Sequence, residues 1–546
     1  MLAFSAGDAA ALKKKLGEWQ APVEWKAIRG EAKSLRAEFK ASDNCRLVAV
    51  VKQGDEAGQI IQRALDRLKS EDKESWEIPT GIYYGSGKKP GKLALVFSGQ
   101  GTQYPGMLRD LACQFPEFKK VLEDADSGFK EYSNGTPDTH LSDIIYPRGA
   151  FTDQETSDQV DRLKLTQHAQ PGIGAVSIGG WYVLAERFGI NPDAAAGHSY
   201  GEICALHAAG TITADEFHAL SSLRGKLMSA GDEDRGSMAA VTVPLDDIQK
   251  VLDEEKLELV IANKNAPAQG VISGKTEEIK RAIEVFNKRD MRIIPLKVSA
   301  AFHSPLVADA TKPFGKHLEK VKFKKGKFPV YSNTTAAEYP AEQKGVREIL
   351  AAQLENPVEF VNEITKMHAD GIRTFLEIGP GKRMSGLVRS ILEGKEYHSI
   401  ALDQSNGKKS GQEDLARALA RLVTLGYEVT LTAWDETFVP VVKENGSKAA
   451  MEVMVAGANL VKPKDELAPY TLTSAVAGVP AAQSVGGVAP SANEAFTAIQ
   501  DNLTGLQRLQ EQTAQLHQQF LHSQQEAQAA FQRLISQQQG VLGLLT

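Results

Sequence analysis

The sequence predicts an α/β protein. A core built on a parallel sheet carries an inserted β-α-β-β-α-β unit, follows a small α/β linker domain and precedes a helical tail. Three observations predict this. Residues 93–97 are a continuous apolar run, as expected of a strand buried on both faces of a parallel sheet. Ala194-Ala195-Ala196-Gly197-His198-Ser199-Tyr200-Gly201-Glu202 reads as a strand, a tight turn and a helix that continues from Ile203 to Ala209. Residues 236–298 form a separate strand and helix pattern between two chemistry-bearing stretches.

Composition sets the bounds. A chain of 546 residues is long enough for about two to four domains. Hydrophobic content of 42% and charged content of 24% are those of an ordinary soluble globular protein. A net charge of −6 gives no electrostatic reason to bind nucleic acid. Cys45, Cys113 and Cys204 are scattered, with no CxxC pair and no metal-ligand cluster, which fits a reducing compartment and predicts a cytoplasmic protein without a bound metal. The start has no basic region followed by an apolar one, so no secretory signal is expected. No run is long enough to span a membrane.

Residues 1–90 read as the linker domain. Residues 8–19 form an amphipathic helix, 46–51 a β-branched strand and 56–69 a second helix, with Ile60, Ile61, Ala64, Leu65 and Leu68 at helical spacing. Tyr83 and Tyr84 lie in a further short strand. The apolar strand 93–97 then runs into Ser98-Gly99-Gln100-Gly101-Thr102-Gln103, where two glycines let the backbone around Gln100 approach a ligand. Thr166-Gln167-His168-Ala169-Gln170-Pro171 enters a helix that runs to residue 188. Helix 214–230 carries Arg224.

Residues 236–298 follow the ferredoxin-like order: strand 238–243, helix 245–254, strands 257–262 and 269–273, helix 277–289, strand 292–298. His303 is placed at the end of a strand and ahead of helix 306–318. Strand 330–333 follows, and a buried strand 374–378 ends at the turn Gly379-Pro380-Gly381. From 396 to 460 the chain packs back, with strand 397–401 and helix 415–425. Ala, Val, Pro, Gly and Ser dominate 461–492, a flexible linker. Residues 493–546 are rich in Gln, with apolar residues at near-heptad spacing. A self-associating partner helix and a frayed Gln-rich helix both fit this tail.

The chemistry gathers at Ser199. Gly197 and Gly201 remove side chains where the backbone turns sharply, so the Ser199 hydroxyl is lifted clear of the sheet and faces the first helical N–H groups. A serine hydroxyl is a weak nucleophile and needs a base. The Gln100 backbone N–H is a candidate oxyanion donor. These residues alone leave a serine esterase or thioesterase of the α/β-hydrolase type, or a non-catalytic docking scaffold, as alternatives.

Taken together, the motifs resemble the malonyl-CoA:acyl carrier protein acyltransferases of polyketide and fatty-acid megasynthases. The resemblance rests on Phe97 to Gln103, Thr166 to Pro171, Gly197 to Glu202, Arg224-Gly225 with Met228, Asn265-Ala266-Pro267, Phe302-His303-Ser304, Asn356-Pro357-Val358 and Glu377 to Gly381. It covers residues 91–395 and implies an α/β-hydrolase-like core over 91–235 and 299–395, with the ferredoxin-like subdomain at 236–298. Residues 1–90 are similar to the linker between a ketosynthase and its acyltransferase, and 396–460 to the wrap that follows the domain. The wording of the linker and of the tail most resembles the first multidomain subunit of a polyunsaturated fatty acid synthase. Adaptor segments at both ends then imply a piece of a longer polypeptide with a ketosynthase neighbour. Ser98 departs from the Pro usual in the family.

The resemblance also implies roles. Ser199 is the nucleophile and His303 its base, oriented by the backbone carbonyl of Gln353. The N–H groups of Gln100 and Tyr200 form the oxyanion hole. Arg224 grips the free carboxylate of a malonyl group, Gln170 supports that site, and Phe302 fills the space an α-methyl would need. Malonyl-CoA is then the donor and the phosphopantetheine of an acyl carrier protein the acceptor, with no cofactor bound to the chain itself.

Overall fold

The first strands belong to an antiparallel sheet. They are β1 (Leu2–Ala6), β2 (Cys45–Ala49), β3 (Ser75–Ile78) and β4 (Ile82–Ser86), in the order β1-β2-β4-β3. Helices Ala9–Glu18, Trp25–Glu38 and Ala57–Ser70 pack on this sheet, and Leu12, Leu16, Leu35, Ile61 and Leu65 meet Phe4, Leu47 and Tyr84 in a core of their own. The Asp8 side chain caps the first helix by accepting the Ala11 N–H at 2.8 Å. Strand β1 and helix Trp25–Glu38 add to the expected elements. Five residues that pair with β2 some forty positions away carry little local pattern of their own.

The computed structural model describes residues 1–130, 140–229, 234–298 and 300–439. The linker expected at 461–492, the tail at 493–546 and the end of the wrap from 440 lie outside the described residues.

Strands β5 (Lys92–Phe97) and β6 (Ala194–Gly197) are parallel neighbours. Side chains along β5 alternate between two layers, as a strand with both faces buried must. Leu93, Leu95 and Phe97 join the large core, which also holds Ile173 and Val176 of helix Thr166–Tyr182. Ala94 and Val96 face the opposite layer with Ala194, Ala196 and Phe375.

The inserted unit follows: β7 (Ser237–Val241), β8 (Leu259–Ala266), β9 (Gln269–Gly274) and β10 (Ile293–Pro295), antiparallel throughout, in the order β10-β7-β9-β8. Helices Leu245–Glu254 and Thr276–Lys288 close its core around Ile248, Val251, Ile279 and Phe286. The last strand is shorter than the expected 292–298, because its partner β7 begins at Ser237: the Leu296 N–H still donates to the Met238 carbonyl at 2.9 Å, and beyond it little of β7 is left to pair. His303 is therefore not at the end of a strand. It sits in a turn with left-handed backbone, φ 56°. The expected strand 330–333 is likewise reduced, to single bridges that pair Val330 with Ala195 and Tyr331 with Glu338.

Strands β11 (Ile372–Ile378) and β12 (His398–Ala401) complete the central sheet, all parallel, in the order β12-β11-β5-β6. At the end of β11, buried Glu377 accepts the N–H groups of Met384 at 2.9 Å and Ser385 at 2.7 Å, holding the start of helix Arg383–Ile391. The Ser98 hydroxyl donates to the same carboxylate at 3.4 Å, a bond that a proline could not supply.

Helix Gly411–Thr424 packs on β2 and β4 and so joins the first sheet to the rest. Buried Arg46 secures this contact, donating to the carbonyls of Thr424 at 3.0 Å, Gly87 at 2.9 Å and Asp43 at 2.7 Å. A Cβ on Gly85 would collide with the Thr424 carbonyl, whose carbon lies 2.8 Å away. Gly85→Ala is expected to cost about 1–3 kcal/mol through overpacking and to lower the melting temperature. Gly7→Ala, which would meet open space, should leave it unchanged. Thermal unfolding of the two variants checks this.

Candidate active site

Strand β6 delivers Ser199 and helix Gly201–Ala208 leads away from it. Ser199 itself has φ 52°, a strained conformation for a residue with a Cβ. Two glycines make the turn possible. A Cβ at Gly201 would run into the Phe97 carbonyl, and one at Gly197 into the Gly201 backbone. The turn is braced from the side by Asn333. Its Oδ1 accepts the Ser199 N–H at 2.6 Å and its Nδ2 donates to the Gly197 carbonyl at 2.6 Å.

The Ser199 hydroxyl lies 2.8 Å from His303 Nε2. His303 Nδ1 lies 2.9 Å from the Gln353 carbonyl and 3.1 Å from that of Asn356. Both partners only accept, so Nδ1 carries the proton and the Nε2 lone pair faces the serine. The imidazole is 3% exposed. Burial, and next the Arg224 guanidinium, hold its pKa down at about 3. It is a neutral base at any ordinary pH.

Arg224 comes from helix Ala214–Ser229 and is 1% exposed. One terminal nitrogen, Nη2, is 3.3 Å from Ser199 Oγ and 3.1 Å from Gln353 Oε1. Its Nε is buried without a partner. Burial lowers the guanidinium to about 10, so it stays charged at neutral pH. Among the described residues no carboxylate lies within ion-pair distance of it.

The backbone N–H groups of Gln100 and Tyr200 donate to no protein group among the described residues. That of Tyr200 lies at the positive end of helix Gly201–Ala208. Gln170 bonds to Gln100 rather than to Arg224: its Nε2 donates to Gln100 Oε1 at 3.2 Å, and Gln100 Nε2 donates to Thr166 Oγ1 at 3.1 Å. Phe302 is buried beside the base, its carbonyl held by the Ser273 hydroxyl at 2.9 Å. A cavity of ≈ 500 Å³ opens beside Gln100, with Gln167, Ser229, Lys164 and Lys297 in its walls.

Ser199, His303, Arg224 and Gln353 thus converge on one point, whereas the Gln100 side chain bonds to Gln170 and Thr166. Sequence reasoning missed the brace by Asn333, the second carbonyl on His303 from Asn356, and the bond from His198 Nε2 to Asn265 Oδ1 at 2.7 Å. Asn265 and Asn356 stand in the motifs quoted above. Asn333 shows only as a polar residue ending an apolar stretch.

A serine presented on a strand-to-helix turn, a neutral imidazole at hydrogen-bond distance and an unbonded N–H on the next residue are the parts an acyl-transfer enzyme needs. Residues 94–429 match the acyl transferase domain family, and the chain belongs to that family. It is 29% identical over 467 residues to one subunit of the polyunsaturated fatty acid synthase of Thraustochytrium sp., across 81% of this chain and 16% of that protein. It is 36% identical over 309 residues to the malonyl CoA-acyl carrier protein transacylase of Bacillus subtilis, across 55% of this chain and 90% of that protein. The chain therefore spans nearly all of the transacylase and a minor part of the synthase polypeptide.

Two solved structures are also similar. The acyltransferase domain from the second module of the salinomycin polyketide synthase matches with TM-score 0.60 at 25% identity, over 79% of this chain and 94% of that one. A malonyl-transacylase in complex with its type II polyketide synthase acyl-carrier protein matches with TM-score 0.52 at 30% identity, over 59% of this chain and 99% of that one.

The depressed imidazole makes a kinetic prediction. The rate of Ser199 acylation, followed as kcat/KM between pH 8 and 5.5, should stay nearly flat. An imidazole with the ordinary value of 6.5 would lose about tenfold over the same range. An acid limb centred near 6.5 would show that the base is not held neutral by its surroundings.

Proposed function

We propose that this chain transfers malonyl groups from malonyl-CoA to the phosphopantetheine thiol of an acyl carrier protein by a ping-pong mechanism. The observation that carries the reading is Arg224. It is a buried guanidinium 3.3 Å from the nucleophile, and among the described residues its Nε has no partner and no carboxylate lies within ion-pair distance. A buried cation in that state suits a ligand that brings its own carboxylate. The names of the transacylase relatives support the same donor, and the complex with a carrier protein supports the acceptor.

In the first half-reaction Ser199 Oγ attacks the thioester carbonyl and His303 Nε2 takes the hydroxyl proton. The N–H groups of Gln100 and Tyr200 receive the oxyanion, each worth roughly 2.7–4 kcal/mol by analogy with other oxyanion donors. The C–S bond breaks and His303 returns its proton to the departing CoA sulfur, leaving a malonyl ester on Ser199. In the second half His303 takes the proton of the carrier thiol, the thiolate attacks the ester, and the serine oxygen recovers the proton. The malonyl carboxylate offsets the charge of Arg224 and so relieves one of the causes that hold His303 neutral, second only to burial. An esterase of the hydrolase type would pair its histidine with an acid, whereas His303 Nδ1 meets two carbonyls.

The narrower readings belong to the same proposal. The parallel sheet with its serine turn supports a hydrolase-like core, and the order β10-β7-β9-β8 supports a ferredoxin-like inserted subdomain. The length shared with the synthase relative favours a polyunsaturated fatty acid synthase, with residues 1–90 as the linker from a ketosynthase. Among the described residues no helix is long and apolar enough to cross a membrane.

Intact-protein mass spectrometry after brief incubation with malonyl-CoA, methylmalonyl-CoA or acetyl-CoA tests the proposal. A malonyl adduct is expected, strongest of the three, and absent from Ser199→Ala. Arg224→Ala should lose malonyl loading by about tenfold or more while keeping acetyl loading. Equal loss for both donors would remove the carboxylate clamp, and release of free acid without an adduct would favour the esterase.

A further inference from the structure

Glu202 follows the serine turn directly, yet no step of the mechanism uses it. Its side chain is 0% exposed. It accepts from Gln353 Nε2 at 2.6 Å, from the Asn333 N–H at 3.4 Å and from the Tyr339 hydroxyl. Burial pushes its pKa up, and these partners, all donors, work against that in favour of the carboxylate form.

The Gln353 carboxamide has two unlike ends. Its NH₂ donates to Glu202 and, at 2.7 Å, to the Ser199 carbonyl. Its oxygen is thereby turned to Arg224, at 3.1 Å. A guanidinium has donors only, so a reversed carboxamide would set N–H against N–H. We propose that Glu202 is a positioning residue for donor selectivity: it fixes which end of the Gln353 carboxamide faces Arg224 and so aims the guanidinium at the carboxylate of the acyl group.

The arrangement also explains how a buried arginine can be left open. An acid bonded directly to Arg224 would occupy the guanidinium edge that a substrate needs. An arginine with no negative charge nearby would be costly to bury. Placing Glu202 one carboxamide away balances the cation and keeps Nε free. The electrostatics agree, since Glu202 is one of the two groups that hold the Arg224 pKa up against burial.

The inference rests on the carboxylate clamp proposed above. Its test compares kcat/KM for malonyl-CoA and acetyl-CoA on the full chain, with a carrier protein or pantetheine as acceptor. A merely structural defect lowers both donors together and leaves their ratio unchanged. Glu202→Met keeps the bulk but leaves the Ser199 carbonyl alone to hold the NH₂ end of the carboxamide, and should lower the malonyl-to-acetyl ratio by about tenfold, the worth of one hydrogen bond to a charged group. Glu202→Gln retains an oxygen that can accept from Gln353 and should keep the ratio close to that of the parent. An unchanged ratio in Glu202→Met overturns the proposal. So does an equal fall in both variants, because charge rather than orientation would then be responsible.

Should Glu202→Met fail to fold, Glu202→Ala decides. It removes the same acceptor without adding bulk and should lower the malonyl-to-acetyl ratio by a similar factor, and a preserved ratio overturns the proposal. Arg224→Ala runs alongside. If it leaves the ratio unchanged, the clamp itself falls. If it collapses the ratio and Glu202→Met does not, the positioning role alone falls.

Discussion

The contact on which the site depends is the approach of the Gly197–Gly201 turn to the end of β5. The turn can press against Phe97 only because neither glycine carries a Cβ. That contact forces Ser199 into its left-handed conformation, and strain of this kind persists only where the surroundings over-determine it. Here they do so from three sides. The His198 N–H donates to the Phe97 carbonyl at 3.0 Å, Asn333 bridges the peptide groups on both sides of His198, and Gln353 holds the Ser199 carbonyl. The hydroxyl is presented by a framework rather than by its own rotamer preference.

The same framework sets the electrostatics. His303 and Arg224 are both buried, and the charge of the arginine adds to burial in keeping the imidazole unprotonated. Beside that fixed cation the imidazole stays unprotonated and keeps its Nε2 lone pair for the serine hydroxyl. Dipoles do most of the orienting. Two carbonyls hold the base, where a triad would use a carboxylate. The nearby acid, Glu202, bonds to amides and a phenol and not to the reacting groups.

Much of this is legible in the sequence, for a physical reason. A strained turn demands glycine at fixed offsets from the serine, and a strand with both faces buried demands an unbroken apolar run. Both constraints leave local marks, so the elbow, β5 and β11 can be read directly. Interactions across long separations leave none. Asn333 meets Ser199 from 134 residues away, and nothing in its surroundings announces it. The strand expected at 292–298 ends early at Pro295, which moves His303 from a strand end to a turn. Helices Arg109–Gln114, Pro116–Lys130 and Asp153–Lys164, between the glutamine loop and the helix of Gln170, carry no chemical motif and escape a reading led by motifs. The roles of individual site residues rest on family resemblance, because periodicity places a side chain on a face and says nothing of its chemistry.

The inserted sheet leaves and rejoins the core at nearly one place. The Ala301 N–H donates to the Arg235 carbonyl at 2.9 Å, so the chain from β7 to β10 starts and finishes a single hydrogen bond apart. Topologically it is one long excursion with a closed neck. A unit tethered in this way is interchangeable in principle: another sheet of the same footprint could replace it with little change to the entropy of closing the chain. The exchange would not be silent, because Phe302 and His303 lie immediately past the neck and Ser273 of the insert holds the Phe302 carbonyl. Recombination at that seam would take away the Ser273 hydroxyl and leave the residue next to the imidazole to find a new support.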